Sequence, residues 1–454
     1  MKSLLQKPAF HTVSKVIPKT LWAVMLASTM VVTLQTAQAE NLYQVYQHAL
    51  QTDPVLKAAE ADYLSVMENK PQALSALKPQ VNVSGSTSYN LQNINNTPND
   101  GNTDFFNAGY NLSVNKTLYN KGVSAQIDQA NAIVSQSGAF LEVERQNLII
   151  RVARAYFDYL KTKDNLEFAK SEKEAIGRQL AQVKAYFEAG RSPITDVKEA
   201  QARFDTATSQ EVLANERQDL AREQLKVITS RYYKRLASAP LNTALIPPKP
   251  NNPTAWEKLA LDNSEEIKAL KYAVAVAQSE VDKQRAAKSP TLDLFAQHKG
   301  NLNRVDIDTE QLDAAIGLQV KVPLYTGGAI PSRIRQSRHS LHQAQHQLES
   351  RKRQVVQRAR SSYLSVISGI SQVKALKQAL ASTRTAAQAT QAGFEVGTRT
   401  AVDVLLSLRE TFRAKRDYST ARYDYLLNKL ILKQATGTLS VKDLQLINKL
   451  LTQK

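Results

Sequence analysis

The sequence predicts a mainly α-helical chain that also carries membrane β-strands, built as an internally duplicated protomer. Three observations predict this class. A series of motifs recurs at a shift of about 207 residues, four stretches alternate between apolar and polar residues with period two, and two helical stretches run on for more than 60 residues each.

The chain has 454 residues, and the first 39 read as a secretory leader. Lys2, Lys7, Lys15 and Lys19 precede an apolar run from Leu21 to Leu34, and Ala37-Gln38-Ala39 is a small-x-small cleavage site before Glu40. That run is shorter than the roughly 20 residues of a spanning helix. An uncleaved anchor is the alternative. The mature chain, 454 less 39 or about 415 residues, is too long for one ordinary core. It has no cysteine, which excludes disulfides and a lipid-modified cysteine. No other stretch approaches a membrane helix, so a membrane crossing falls to strands.

Without the four leader lysines the formal charge drops from +18 to about +14. Lys and Arg are mixed with Asp and Glu along helical stretches, which describes a solvated surface rather than a nucleic-acid patch. No nucleic-acid partner is expected.

Phe187 to Val197, with Gly190 and Asp196, recurs as Phe394 to Val404, with Gly397 and Asp403. Tyr156 falls on Tyr363 at the same shift, and Leu118-Tyr119 with Gly122 falls on Leu324-Tyr325 with Gly328 at one residue less. The run from Ile246 to Pro253 has four prolines and is a linker. The expected organisation is a leader over 1–39, a first repeat over 40–239, a linker over 240–256, a second repeat over 257–436 and a tail over 437–454.

Each repeat reads as helix, two strands, a very long helix, a turn and a long helix. The first begins with a helical segment from about Leu42 to Leu77, ended by Lys78-Pro79; Ser289-Pro290 plays that part in the second. Strands are expected over about 79–92, 108–119, 290–299 and 312–325. Val81, Val83, Tyr89 and Leu91 alternate with Asn82, Ser84, Ser88 and Asn90, and the other three stretches alternate likewise. A half-buried sheet in a soluble protein is one reading. Strand length, Tyr119 and Tyr325 at matching ends, and polar connecting loops favour a membrane barrel.

Four strands cannot close alone, and open edges in lipid leave unpaired backbone groups. Eight strands from two copies would fill their interior with side chains, whereas twelve from three leave an aqueous lumen. The helices from Ser124 to about Phe187 and from Ile330 to Phe394 are each roughly 95 Å long at 1.5 Å per residue. On the return helix Ala200, Phe204, Ala207, Glu211, Ala214, Gln218, Ala221, Leu225 and Ile228 follow a heptad rhythm, flanked by Leu213, Leu220 and Val227. Two stripes let one helix pack on both sides, as a tunnel wall requires.

The two matched turns, with the helices that follow them, resemble the periplasmic hairpins of the TolC family, and Leu324 to Gly328 resembles its strand-to-helix junction. The resemblance runs from about Glu40 to the C-terminus. It implies a homotrimer whose 12-stranded outer-membrane β-barrel continues into a 12-helix periplasmic α-barrel, belted by the linker and the tail. It further implies an export duct for efflux or type I secretion that reaches from the outer-membrane lipid into the periplasm. Its partners would be a periplasmic adaptor and an inner-membrane transporter, and it needs no cofactor.

The family's gate carries over residue by residue. Arg399 matches its arginine and Thr195-Asp196 its Thr-Asp pair, but Phe394 stands where the family has a tyrosine, so one hydroxyl link is missing. Asp403 matches an acidic position that rings the entrance; a second such position is Leu406 here. Gly190, Arg191, Gly397 and Thr398 fall in the adaptor-docking turns, and Arg191 replaces an apolar residue. Asp196 and Asp403 are also placed to cap helices.

His339, His342 and His346 share one helical face, with Glu349 nearby. That spacing suits a metal, but with no carboxylate among them a solvated helix face is the expectation. There is no phosphate-cradling glycine loop and no nucleophile elbow, so no enzyme is expected. A soluble periplasmic coiled-coil adaptor or scaffold is the competing function.

Overall fold

The computed structural model describes residues 39–94, 101–240, 244–304 and 308–451. All but the last residue of the leader expected over 1–39 lies outside the described residues, as do 95–100, 241–243, 305–307 and 452–454.

Three short helices come first: α1 (Leu42–Thr52), α2 (Pro54–Met67) and α3 (Asn69–Ser75). The single helical segment expected here is thus broken. Asp53 caps α2 by accepting from the Leu56 amide at 2.8 Å, and Pro54, which has no N–H to donate, takes the first helical position. Strands β1 (Gln80–Ile94) and β2 (Gly101–Tyr119) follow, then α4 (Lys121–Glu188) and α5 (Ile194–Thr229). The second half has α6 (Pro253–Asn263), α7 (Glu265–Ala286), β3 (Thr291–Arg304), β4 (Asp308–Lys321), α8 (Ala329–Glu395), α9 (Ala401–Ala435) and α10 (Val441–Asn448).

Strand limits differ from those expected. β2 begins seven residues earlier, at Gly101 rather than 108, and β3 runs on to Arg304 because the hairpin ladders continue toward the loops. β4 ends at Lys321 instead of 325, just before Pro323, which cannot donate to a ladder. The linker also ends early: Asn252 caps α6 by accepting from the Thr254 amide at 3.0 Å, with Pro253 at its first position.

The four strands form one antiparallel sheet in the order β1-β2-β3-β4, leaving β1 and β4 as free edges. Cross-strand partners face the same side, so the register decides how the alternation adds up. Val83 pairs with Leu112, Val81 with Val114, Leu294 with Leu318 and Ala296 with Ile316. Leu112 also pairs with His298, and Val114 with Ala296, across the β2–β3 seam. Val81, Val83, Leu112, Val114, Leu294, Ile316 and Leu318 therefore share one face, while Phe295, paired with Asn115 and Gly317, lies on the other. Tyr110 lies over Gly300, where an added Cβ would come within 2.3 Å of the ring, so the flat glycine makes room for the aromatic.

α4 and α8 have 68 and 67 residues, roughly 100 Å each at 1.5 Å per residue. Among the described residues no helix is long and apolar enough to cross a membrane. The main core lies partway down this shaft, at a waist where Tyr156, Phe157, Leu160, Tyr423, Tyr425 and Leu426 are fully buried. There the segment between α5 and α6, which includes the linker, is strapped across the helices. Tyr156 Oη donates to the Ala237 carbonyl at 2.5 Å, and Tyr363 Oη to Asn251 Oδ1 at 2.8 Å. The Arg422 guanidinium, 2% exposed, donates to the Pro240 carbonyl at 2.7 Å, and Tyr425 Oη exchanges hydrogen bonds with Ile246. Burial pushes the Tyr156 and Tyr423 hydroxyls far above the usual phenol range, so both remain protonated donors.

On α5 the first stripe packs inward: Ala200, Ala207, Ala221 and Leu225 are buried. Leu213, Leu220 and Val227 remain 47%, 56% and 72% exposed, so the second stripe is largely uncovered among the described residues.

Candidate functional site

The two helical hairpins end in turns built alike. After α4 the Arg191 amide donates to the Tyr186 carbonyl at 2.8 Å and the Gly190 amide to that of Phe187 at 2.9 Å. After α8 the Thr398 amide donates to the Gly393 carbonyl at 2.8 Å and the Gly397 amide to that of Phe394 at 3.1 Å. This is the Schellman closure, which needs a left-handed residue just past the helix. Gly190 and Gly397 supply it, with φ of +69° and +78°.

The next helices start differently. Thr400 and Asp403 form a reciprocal capping box at the start of α9: Thr400 Oγ1 accepts from the Asp403 amide at 3.2 Å, and Asp403 Oδ2 accepts from the Thr400 amide at 3.0 Å. These bonds from the Thr400 backbone and hydroxyl, with the nearby Arg399 charge, hold the Asp403 carboxyl below the usual aspartate range. α5 follows Pro193, which makes no side-chain cap; Ser192 Oγ instead donates to Asp196 Oδ2 at 2.8 Å. The capping expectation thus fits Asp403 closely and Asp196 only loosely.

Thr195, Gly190, Arg191, Gly397, Thr398 and Arg399 are exposed, while Asp196, Phe394, Asp403 and Leu406 are half-buried. Thr398 Oγ1 turns back to donate to the Gly393 carbonyl at 3.0 Å. Among the described residues no ion pair joins Arg399 to Asp196 within one chain. What does join the two turns is a residue the sequence analysis passed over. Tyr186 stacks on Phe394 with ring centroids 5.6 Å apart, and the Arg191 guanidinium lies 4.8 Å from the Tyr186 ring centre. Above this, Leu405 of α9 packs with Ile176 and Leu180 of α4 and with Ala200, Phe204 and Ala207 of α5. Further up the shaft Arg416 binds the buried Glu172 carboxylate at 2.6 Å, and Lys173 binds Glu211 at 3.0 Å.

His339, His342 and His346 are exposed on α8, with His342 Nδ1 3.2 Å from Gln345 Oε1. Among the described residues no three His, Cys, Asp or Glu side chains come together as a metal site. Nearby basic residues are paired: Arg358 with Glu266 at 2.8 Å and Arg360 with Glu257 at 3.3 Å.

The family described as Outer membrane efflux protein matches residues 45–231 and 256–438, one stretch in each half. The chain is 35% identical over 430 residues to outer membrane protein TolC of Vibrio cholerae, covering 93% of this chain and 97% of that one. It is 28% identical to the alkaline protease secretion protein AprF of Pseudomonas aeruginosa, covering 91% of this chain and 88% of that one. Its fold matches the crystal structure of the Campylobacter jejuni CmeC outer membrane channel with a TM-score of 0.74 at 17% identity, over 99% of this chain and 98% of that one. The paired hairpins, the one-faced sheet and these similarities agree, and the chain belongs to the outer membrane efflux protein family, as a member of its TolC group.

Proposed function

We propose that the protein is an outer-membrane export duct, serving efflux, type I secretion or both, and gated at the tips of its helical hairpins. The observation that carries this reading is the uncovered apolar face of the sheet. Val83, Leu91, Ile316 and Leu318 are 73%, 82%, 77% and 62% exposed, at positions where a soluble half-buried sheet would have covering side chains. Lipid is the solvent that suits such a face, and a tilted strand of 14 to 19 residues is long enough to cross it. A soluble adaptor or scaffold has no use for it.

Two free sheet edges then require further copies, since edges in lipid are costly. Three protomers, each an internal duplication, give twelve strands around a lumen and twelve helices around a continuous tunnel. The exposed stripe of Leu213, Leu220 and Val227 supplies a packing surface for the neighbouring copy. In that trimer Thr195, Asp196 and Arg399 link neighbouring protomers and hold the mouth shut. Three Asp403 carboxylates ring the mouth, repelling anions while also serving as helix caps. The exposed Gly190-Arg191 and Gly397-Thr398 turns receive a periplasmic adaptor, which joins the duct to an inner-membrane transporter. The cargo is proteins or small toxic molecules. The absence of a nucleotide motif leaves energy to the transporter.

Planar-bilayer recording of the purified protein tests the reading. The wild type should form channels of low conductance, and the double variant Asp196→Ala with Arg399→Ser should conduct more. Equal conductance would remove the gate assignment, and a monomeric particle that forms no channels would contradict the duct.

A further inference from the structure

We propose that Tyr186 is a further gate residue: its ring, held between Phe394 of the second turn and Arg191 of its own, latches the two hairpin tips together within each protomer. The inference rests on the reading of the tips as the closed end of the duct.

Most residues of the two turns are exposed, so a contact that ties the tips must be local. Tyr186 and Phe394 provide one, stacked at 5.6 Å with ring planes 28° apart. Both rings lie in the last turns of long helices, where the Schellman closures fix the backbone beneath them. The closure that brings the Arg191 amide onto the Tyr186 carbonyl also folds the Arg191 side chain back over the Tyr186 ring. Gln182 Nε2 donates to Tyr186 Oη at 3.3 Å, one helical turn earlier, and orients the ring from its far end.

This arrangement accounts for two departures from the family pattern at once. Phe394 lacks a hydroxyl, but its ring contributes by stacking. Arg191 has no carboxylate partner among the described residues, and its guanidinium is engaged with the aromatic face instead. Outward movement of the second hairpin would pull Phe394 off Tyr186. Arg191 also lies in the turn proposed to receive the adaptor, so a partner that draws its guanidinium away removes one of the two contacts on the ring. Docking and unlatching would share a residue.

The test is bilayer conductance of the purified protein carrying Tyr186→Leu, Phe394→Leu, both together, or Tyr186→Phe, beside Asp196→Ala with Arg399→Ser. Each leucine variant should raise the open probability about threefold per protomer, on the scale of one aromatic pair, and about thirtyfold where three protomers open together. The double leucine variant should add little to either single one, and Tyr186→Phe should behave as wild type. Tyr186→Leu at wild-type conductance, while the Asp196 and Arg399 double variant is raised, overturns the latch alone. If neither set is raised, the gate reading beneath it falls as well.

Discussion

Phe157 and Tyr423 at the waist are fully buried, whereas Val83 and Ile316 in the sheet are 73% and 77% exposed, although all four belong to strongly patterned apolar stretches. The waist covers its apolar surface with its own chain, using the strapped linker and the helices of both halves. The sheet has no such cover on its apolar face. One set of side chains is hidden from water by protein and the other must be hidden by something outside the protomer. The same physical tendency thus makes a packed hub in one place and leaves an uncovered apolar face in the other.

Breaking the hub should cost most. Tyr423→Ala removes a fully buried ring and its hydrogen bond to Asp164, at 3.2 Å, and should destabilise the protein by about 3–5 kcal/mol. The urea midpoint in detergent measures it, and a loss below about 1 kcal/mol would mean that the waist is not a packed core.

The sheet should respond to its solvent. Ile316→Arg places a charge on the apolar face and should cost about 2–4 kcal/mol in folding into lipid vesicles where the site lies near the bilayer midplane. Gln319→Arg, on the other face, should change little. Equal costs for the two would erase the difference between the faces.

The smallest effect belongs to the tip. Thr400→Ala removes the capping box and should cost about 1 kcal/mol, read as faster hydrogen exchange at the Asp403 and Val404 amides. Because the folded Asp403 carboxyl titrates below its unfolded value, its contribution is present above the ordinary aspartate range and is lost as pH falls through the lowered value. Thr400→Ala removes the hydroxyl bond but keeps the backbone amide and Arg399, and should lessen that acid sensitivity.

The strands were legible because a period of two survives in any register, and the long helices because prolines and glycines punctuate them so sparsely. The ends were less so. The break at Asp53-Pro54 carried a readable cap-and-proline signal, and Pro323 marked the end of β4, yet apolar periodicity continues through both. Tyr156 and Tyr363 stood out as repeat markers, but their roles as donors to the linker depend on carbonyl and amide groups brought in from far along the chain. Tyr186 carried no signal at all. Its partner Phe394 is 208 residues away (394 less 186), and a single aromatic contact has no period to read.

Lipid contact of one sheet face is tested most directly by spin labels at single cysteines introduced into the cysteine-free chain at Val83, Ile316, Ser84 and Gln319. In vesicles, labels at Val83 and Ile316 should relax with oxygen dissolved in the lipid, and labels at Ser84 and Gln319 with a water-soluble nickel reagent. Similar exposure of all four sites to the nickel reagent would contradict a membrane-spanning sheet.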